Sequence, residues 1–271
     1  MLYTNIKGEI KIMETFLPTI WEQDLLENFR GKTLAELVTF PCQVKGEKVV
    51  FNRLIEVTTS SYTKGATIAY NEAGMTSVNI PFNKTSYFAL QVEDVVEVQQ
   101  VASVRGQLMQ SGAYKMRKDV DADLVEKIKA SNANKKKVIE IGYDALVDGI
   151  NRLMCKDVPV GNGQSIILAH PSVLATLSKD ERFTHHYQVL ENGVVDGATV
   201  NGVQLVVSSH IPAGEAYVIY KGAIGFGMQL QTVESGRMQD HFADYIRGLI
   251  QWGLEVCIPE AIEVLTATVQ G

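Results

Sequence analysis

Cysteine is scarce in this chain, and its three copies, Cys42, Cys155 and Cys257, have no paired spacing. That removes a zinc ribbon and a dithiol redox motif from consideration and leaves three reduced, small apolar side chains expected in or near the core. Long apolar runs are missing too. The longest uncharged stretch, Val158 to Ser178, contains Pro159, Pro171, Gly161, Gly163, Asn162 and Gln164, which a lipid-facing helix tolerates poorly. The opening residues interleave apolar positions with Lys7, Glu9, Lys11, Glu14, Glu22 and Asp24 and so lack the unbroken apolar core of a signal peptide. No membrane association is expected, and the cytoplasm is the expected site of synthesis. Basic charge is in deficit: 25 Lys and Arg stand against 31 Asp and Glu, a net charge of -6. Phosphate neutralisation needs clustered Lys and Arg, so a dedicated nucleic-acid binder is excluded and any contact with DNA should be loose.

What remains is ordinary globular material, 271 residues of which 46% are hydrophobic and 21% charged, enough for two compact lobes. The stretch Trp21, Leu25, Leu26, Phe29 has the spacing of a short amphipathic helix in a docking arm. From Lys45 to about Val92 the apolar residues come in strand-like bursts, among them Val49-Val50-Phe51 and Val78, Ile80, Phe82. They flank a polar run from Thr58 to Gly65, which predicts a long β-hairpin with a solvent-facing tip. A two-stranded ribbon is not stable alone in water, so this one needs a partner surface.

Between Asp94 and Ser131 the period becomes helical. Val98, Val101 and Leu108 form one set and Leu124, Val125 and Ile128 another; Asp119, Asp121 and Asp123 precede the second, which predicts two helices joined near Lys118 with the acids at a helix start. A polar joint is expected at 132–137. Leu146, Val147, Ile150, Leu153 and Met154 then mark an amphipathic helix that ends before Pro159. A buried strand at Ser165 to Ala169, a helix opened by Pro171, and strands at Val203 to Val207 and Ala216 to Tyr220 make an α/β lobe. Ile246, Ile250, Trp252, Leu254, Val256 and Ile258 all occupy even positions, the period of a strand with one buried face. A final strand is expected from Ile262.

Catalytic and metal-binding patterns fail on spacing. Gly222-Ala-Ile-Gly225-Phe-Gly227 has the wrong order for a dinucleotide fingerprint and no Lys-Ser or Lys-Thr follows it; close backbone packing accounts for such small residues. Asp119-Val-Asp121-Ala-Asp123 opens like a calcium loop but continues with Leu124 and Ala130 where glycine and glutamate belong. The adjacent His185 and His186 point to opposite sides of extended backbone, and Lys135-Lys136-Lys137 reads as a solvated joint. Asp240-His241 could be half of a hydrolase triad, yet no Gly-x-Ser-x-Gly elbow occurs. No catalytic residue, cofactor or metal is expected.

The order of these elements resembles that of the major capsid proteins of tailed bacteriophages, which have the HK-ninety-seven (Johnson) fold. Four stretches carry the resemblance: Phe16-Leu-Pro-Thr-Ile-Trp21; Tyr87-Phe-Ala-Leu-Gln-Val-Glu-Asp94 with Val98-Gln-Gln100; Asn151-Arg-Leu through Val158-Pro159 to Ile166-Ile-Leu-Ala-His-Pro171; and Gly202-Val-Gln-Leu-Val-Val-Ser-Ser, Val233-Glu-Ser-Gly-Arg237 and Asp244-Tyr-Ile-Arg-Gly-Leu-Ile-Gln-Trp-Gly253. The resemblance implies an α+β fold with an N-terminal arm (1–45), an extended hairpin loop (46–93), a peripheral lobe with a long spine helix (94–164), an axial α/β lobe (165–243), and a long strand returning to the peripheral lobe (244–271). It further implies a structural subunit that self-assembles into pentamers and hexamers around double-stranded DNA, located in the virion and assembled in the host cytoplasm. A separate scaffolding protein and a portal are the implied partners. Trp21 in the arm, Tyr62 and Lys64 at the loop tip, and Arg237, Asp244 and Arg247 near the last long strand are the candidate assembly contacts. A bacterial encapsulin shell shares the fold and is the alternative reading; a small α/β hydrolase using Asp240 and His241 is a remote one.

Overall fold

The computed structural model describes residues 33–39, 43–46, 48–54, 59, 61, 63–65, 67, 74–93, 103–183, 188–189 and 193–268. The amphipathic stretch at Trp21 to Phe29, Cys42, Tyr62 and the pair His185-His186 lie outside them.

Helix α1 (Leu34–Val38) opens behind Thr33, whose hydroxyl accepts from the Glu36 N–H. Strands β1 (Gln43–Lys45), β2 (Lys48–Leu54) and β3 (Met75–Pro81) form a small antiparallel sheet in that order. Strand β4 (Lys84–Glu93) leaves it and pairs with β12 (Ala243–Val256), which pairs in turn with β11 (Ile224–Arg237) in an antiparallel sheet of order β11-β12-β4. Within the span 46–93 expected as the extended loop, β2 and β3 pair with each other while β4 pairs with β12.

A seven-stranded sheet has the order β5-β13-β10-β6-β9-β8-β7. Its members are β5 (Asn134–Val138), β6 (Ser165–Ala169), β7 (Gln188–Val189), β8 (Val194–Val200), β9 (Val203–Val207), β10 (Glu215–Tyr220) and β13 (Ile262–Ala267). The polar joint expected at 132–137 is thus largely strand β5, which runs parallel to β13. Both faces of this sheet are covered. Ile167, Ala169, Ala216, Val218 and Leu265 pack under helices α3 (Tyr143–Met154) and α4 (Pro171–Leu177), while Ile166, Leu168, Tyr217, Ile219 and Val264 face the long helix α2 (Ser103–Ala130) and β12. Burial on two sides is why Ser165 to Ala169 reads as an unbroken apolar run instead of an alternation. In α3, Gly149 permits close approach: a Cβ there would stand 3.3 Å from Val218 Cγ2. Cys155, expected near the core, caps this helix and is exposed.

Sheet pairing runs across the expected segments. Helix α3 and strand β5, assigned to the lobe ending at 164, lie in the seven-stranded layer, and so does β13 from the terminal segment. Conversely β11, assigned to the axial α/β lobe, pairs over its whole length with β12. The two helices expected around Lys118 are one helix of 28 residues, about 42 Å long at 1.5 Å per residue. Ala113, Met116, Val120, Leu124 and Ile128 form its continuous buried stripe. The terminal strand shows the expected face: Ile246, Ile250, Trp252 and Leu254 are buried, while Arg247 and Glu255 are exposed.

Candidate functional site

The hairpin of β2 and β3 runs in unbroken register from Lys48 opposite Pro81 to Leu54 opposite Met75. Its base is seated on glycine. Val49 and Ile80 are buried, and a Cβ on Gly227 would collide with the Val49 side chain, one on Gly225 with Ile80, and one on Gly253 with the Pro81 carbonyl. The glycine run of β11 thus does what close packing demands, letting a second ribbon lie against the β11-β12 pair. The described residues of the connecting segment are solvent-facing. Thr59, Ser61, Thr63, Lys64, Gly65 and Thr67 are all exposed, with Gly65 at φ +88° in the turn after Lys64. One end of the ribbon is anchored and the other is presented to solvent.

The three aspartates of α2 tie the molecule together from the middle of the helix. Asp119 and Asp123 are one helical turn apart and share a face. Asp119 Oδ2 accepts from Ser86 Oγ at 2.7 Å, and Asp123 Oδ2 accepts from Trp252 Nε1 at 3.1 Å with Lys84 Nζ 3.5 Å from its other oxygen. These bonds fix the helix to β4 and β12. Asp121, rotated about 200° from Asp119, faces elsewhere. Its carboxylate accepts from the Leu34 N–H at 2.8 Å and lies 2.9 Å from His210 Nδ1, in the turn before β10. A carboxylate accepts, so Nδ1 carries the proton there. The expectation that these acids cap a helix start is corrected: each is mid-helix and satisfied by tertiary partners. At the C-terminal end of α2, Lys129 Nζ meets Glu215 at 2.9 Å, and Glu215 also accepts from the Tyr217 hydroxyl. Burial, then that hydrogen bond, pushes the Tyr217 phenol far above its ordinary pKa.

The candidate assembly residues fall in separate places. Lys64 stands at the hairpin tip. Arg237 and Asp244 are opposite each other in the β11-β12 register, and Arg247 opposes Glu234 three pairs along. Arg247 is exposed; its Nε lies 2.6 Å from Glu234 Oε2 and its guanidinium sits 5.5 Å from the Tyr245 ring centroid. The hydrogen bond to Glu234 and its charge hold that guanidinium ionised beyond its ordinary range. Trp21 and Tyr62 lie outside the described residues. Asp240 and His241 are exposed in the turn from β11 to β12, beside Phe242, which is 85% exposed. Among the described residues no three His, Cys, Asp or Glu side chains converge as a metal site, and no helix is long and apolar enough to cross a membrane.

Sequence reasoning missed the Asp121–His210–Leu34 and Asp123–Trp252 links, whose partners are 87 to 129 positions apart. The available signal was the placement of Asp121 and Asp123 beside the stripe residues Val120 and Leu124, where a solvated acid is out of place.

No protein-family model matches the chain and no curated protein matches it. Solved structures do. A chain from the capsid structure of cyanophage P-SCSP1u superposes with a TM-score of 0.65 at 14% identity, over 88% of this chain and 88% of that one. A chain of Mycobacterium phage Che8 gives 0.61 at 18% identity, over 82% and 85%. A virus-like particle from Pyrococcus furiosus gives 0.61 at 14% identity, over 92% and 99%. At such identities the likeness is one of fold, and it runs nearly from end to end: this chain has the HK-ninety-seven (Johnson) fold of tailed-phage major capsid proteins.

Proposed function

We propose that the chain is the structural subunit of an icosahedral phage-type capsid, assembling into pentamers and hexamers that enclose double-stranded DNA, and that it has no enzymatic role. The observation that carries this reading is the near end-to-end match to capsid chains. The hairpin supports it independently. A ribbon anchored at its base on Gly225, Gly227 and Gly253 and presented to solvent at its tip is built to lie on something outside the subunit.

On this reading residues 1–45 are the arm, the ribbon around Lys64 is the extended loop, α2 is the spine, the seven-stranded sheet with α3 and α4 is the axial lobe, and the β11-β12-β4 sheet is the peripheral one. Trp21, Tyr62, Lys64, Arg237, Asp244 and Arg247 remain the proposed contacts between copies. A scaffolding protein and a portal are the proposed partners, with assembly in the host cytoplasm and residence in the virion. Many modest contacts repeated around a closed shell add up steeply. Negative-stain electron microscopy of the expressed protein, alone and with its scaffolding partner, should show closed shells or rings of five and six. Light scattering that reports monomer under every condition, scaffold included, would overturn the proposal.

A further inference from the structure

Strand β5 closes one side of the seven-stranded sheet. Among the described residues it pairs with a strand on one edge only, β13, and no strand of the described residues lies on its other edge. Lys135, Lys136 and Lys137 are exposed along it. Lysine on an edge strand is a common device to keep other chains off, but here the strand leads into a feature such a device does not need. Directly beyond Val138, Ile139 stands 78% exposed at the mouth of a cleft of about 450 Å³ lined by Ile141, Val173, Ala213 and Ala267. Lys179 and Glu140, of opposite charge, also line that cleft. In a chain of net charge -6, the run Lys135 to Lys137 is a local concentration of positive charge.

We infer that the open edge of β5 and the cleft at Ile139 form one docking surface for an acidic, extended polypeptide segment of a partner protein, which adds as a strand beside β5 and inserts an apolar side chain at Ile139. The edge supplies main-chain hydrogen bonds, the lysines select acidic residues, and the cleft supplies the anchor. The surface is distinct from the hairpin and from the contacts proposed between copies. Its test does not depend on shell formation.

The probe is a synthetic peptide of alternating glutamate and valine ending in leucine and phenylalanine, titrated into the unassembled full-length chain. Amide hydrogen exchange should slow at residues 134–141 of the wild-type protein and nowhere else to a similar extent. The variant K135E/K136E/K137E and, separately, Ile139→Asp should each weaken binding by about tenfold or more, while Lys64→Glu should leave it unchanged. Both sets of residues are exposed, so the fold should tolerate the changes, and the wild-type exchange pattern decides the question if it does not. No saturation up to about 1 mM peptide, or protection elsewhere in the chain, overturns the inference. So does displacement of the peptide by duplex DNA that protects the same amides, because that marks a phosphate site instead.

Discussion

Trp252 is held by packing and by a hydrogen bond at once: 4% of it is exposed and its indole N–H donates to Asp123. Trp252→Asp would bury a second carboxylate beside Asp123, with Lys84 already committed to the first. Leaving a buried charge uncompensated costs about 3–5 kcal/mol, a large part of the 5–15 kcal/mol that holds a typical domain together. The variant should yield no soluble folded protein, whereas Trp252→Phe should fold and lose roughly 1–3 kcal/mol by urea denaturation. A wild-type melting temperature for the aspartate variant would show that the strand face is misassigned. Arg182 offers a milder test. It bridges Asp144 at 2.6 Å and Asp180 at 2.8 Å, and these hydrogen bonds hold both carboxyls below their ordinary 3.8. Folding lowers the two pKa values, so the stability they contribute is complete above the unfolded value and is lost as pH falls through the lowered native ones. Arg182→Gln should therefore melt below wild type near pH 6 and converge with it near pH 2. The groups are solvated, so the gap should also shrink in high salt. A gap independent of pH would mean that Arg182 acts through its packing over the Tyr143 ring, 4.9 Å away.

At the scale of elements, the glycine seat under the hairpin base is the point at which one ribbon is joined to the body. Gly227→Ala places a methyl group against Val49, and overpacking of this kind costs about 1–3 kcal/mol. Amide exchange should quicken in β2 and β3 while the seven-stranded sheet stays as slow as in wild type, and Val49→Ala added to Gly227→Ala should restore protection. Unchanged exchange in the single variant would show that the ribbon is held some other way. Most elements were legible beforehand, because helices and strands write their period into neighbouring residues. The break expected near Lys118 is the instructive exception. Asp119, Asp121 and Asp123 look like helix-start residues, but their carboxylates reach β4, β12, α1 and the turn at His210, so they interrupt nothing.

At the scale of the whole molecule, the exposed tip links the free subunit to the proposed shell. Lys64 is a trypsin site in a polar turn, and exposed tips of that kind are nicked first. Trypsin should cut there early in the free subunit and more slowly in an assembled particle, where a neighbouring copy would hold the loop backbone. Replacing residues 58–65 by a short Gly-Ser linker should leave a folded subunit with impaired assembly, since the buried base at Val49 and Ile80 does not involve the tip. Mass spectrometry of both fractions checks the first expectation and microscopy of the variant the second. Equal cleavage in both fractions, with normal particles from the variant, would remove the tip from the assembly mechanism.

By itself the sequence determined the α+β content, the hairpin and its polar tip, the buried face of the strand through Trp252, and the use of Gly225 and Gly227 for close packing. Each of these is written in residues a few positions apart. Which sheet a strand joins is written nowhere locally. That β4 pairs with β12, that β5 and β13 close the seven-stranded sheet, and that Asp121 receives Leu34 and His210 depend on segments 87 or more positions apart. Such pairings are selected by the total apolar area buried and by polar groups that must be satisfied once water is gone, and only the folded chain brings those terms together.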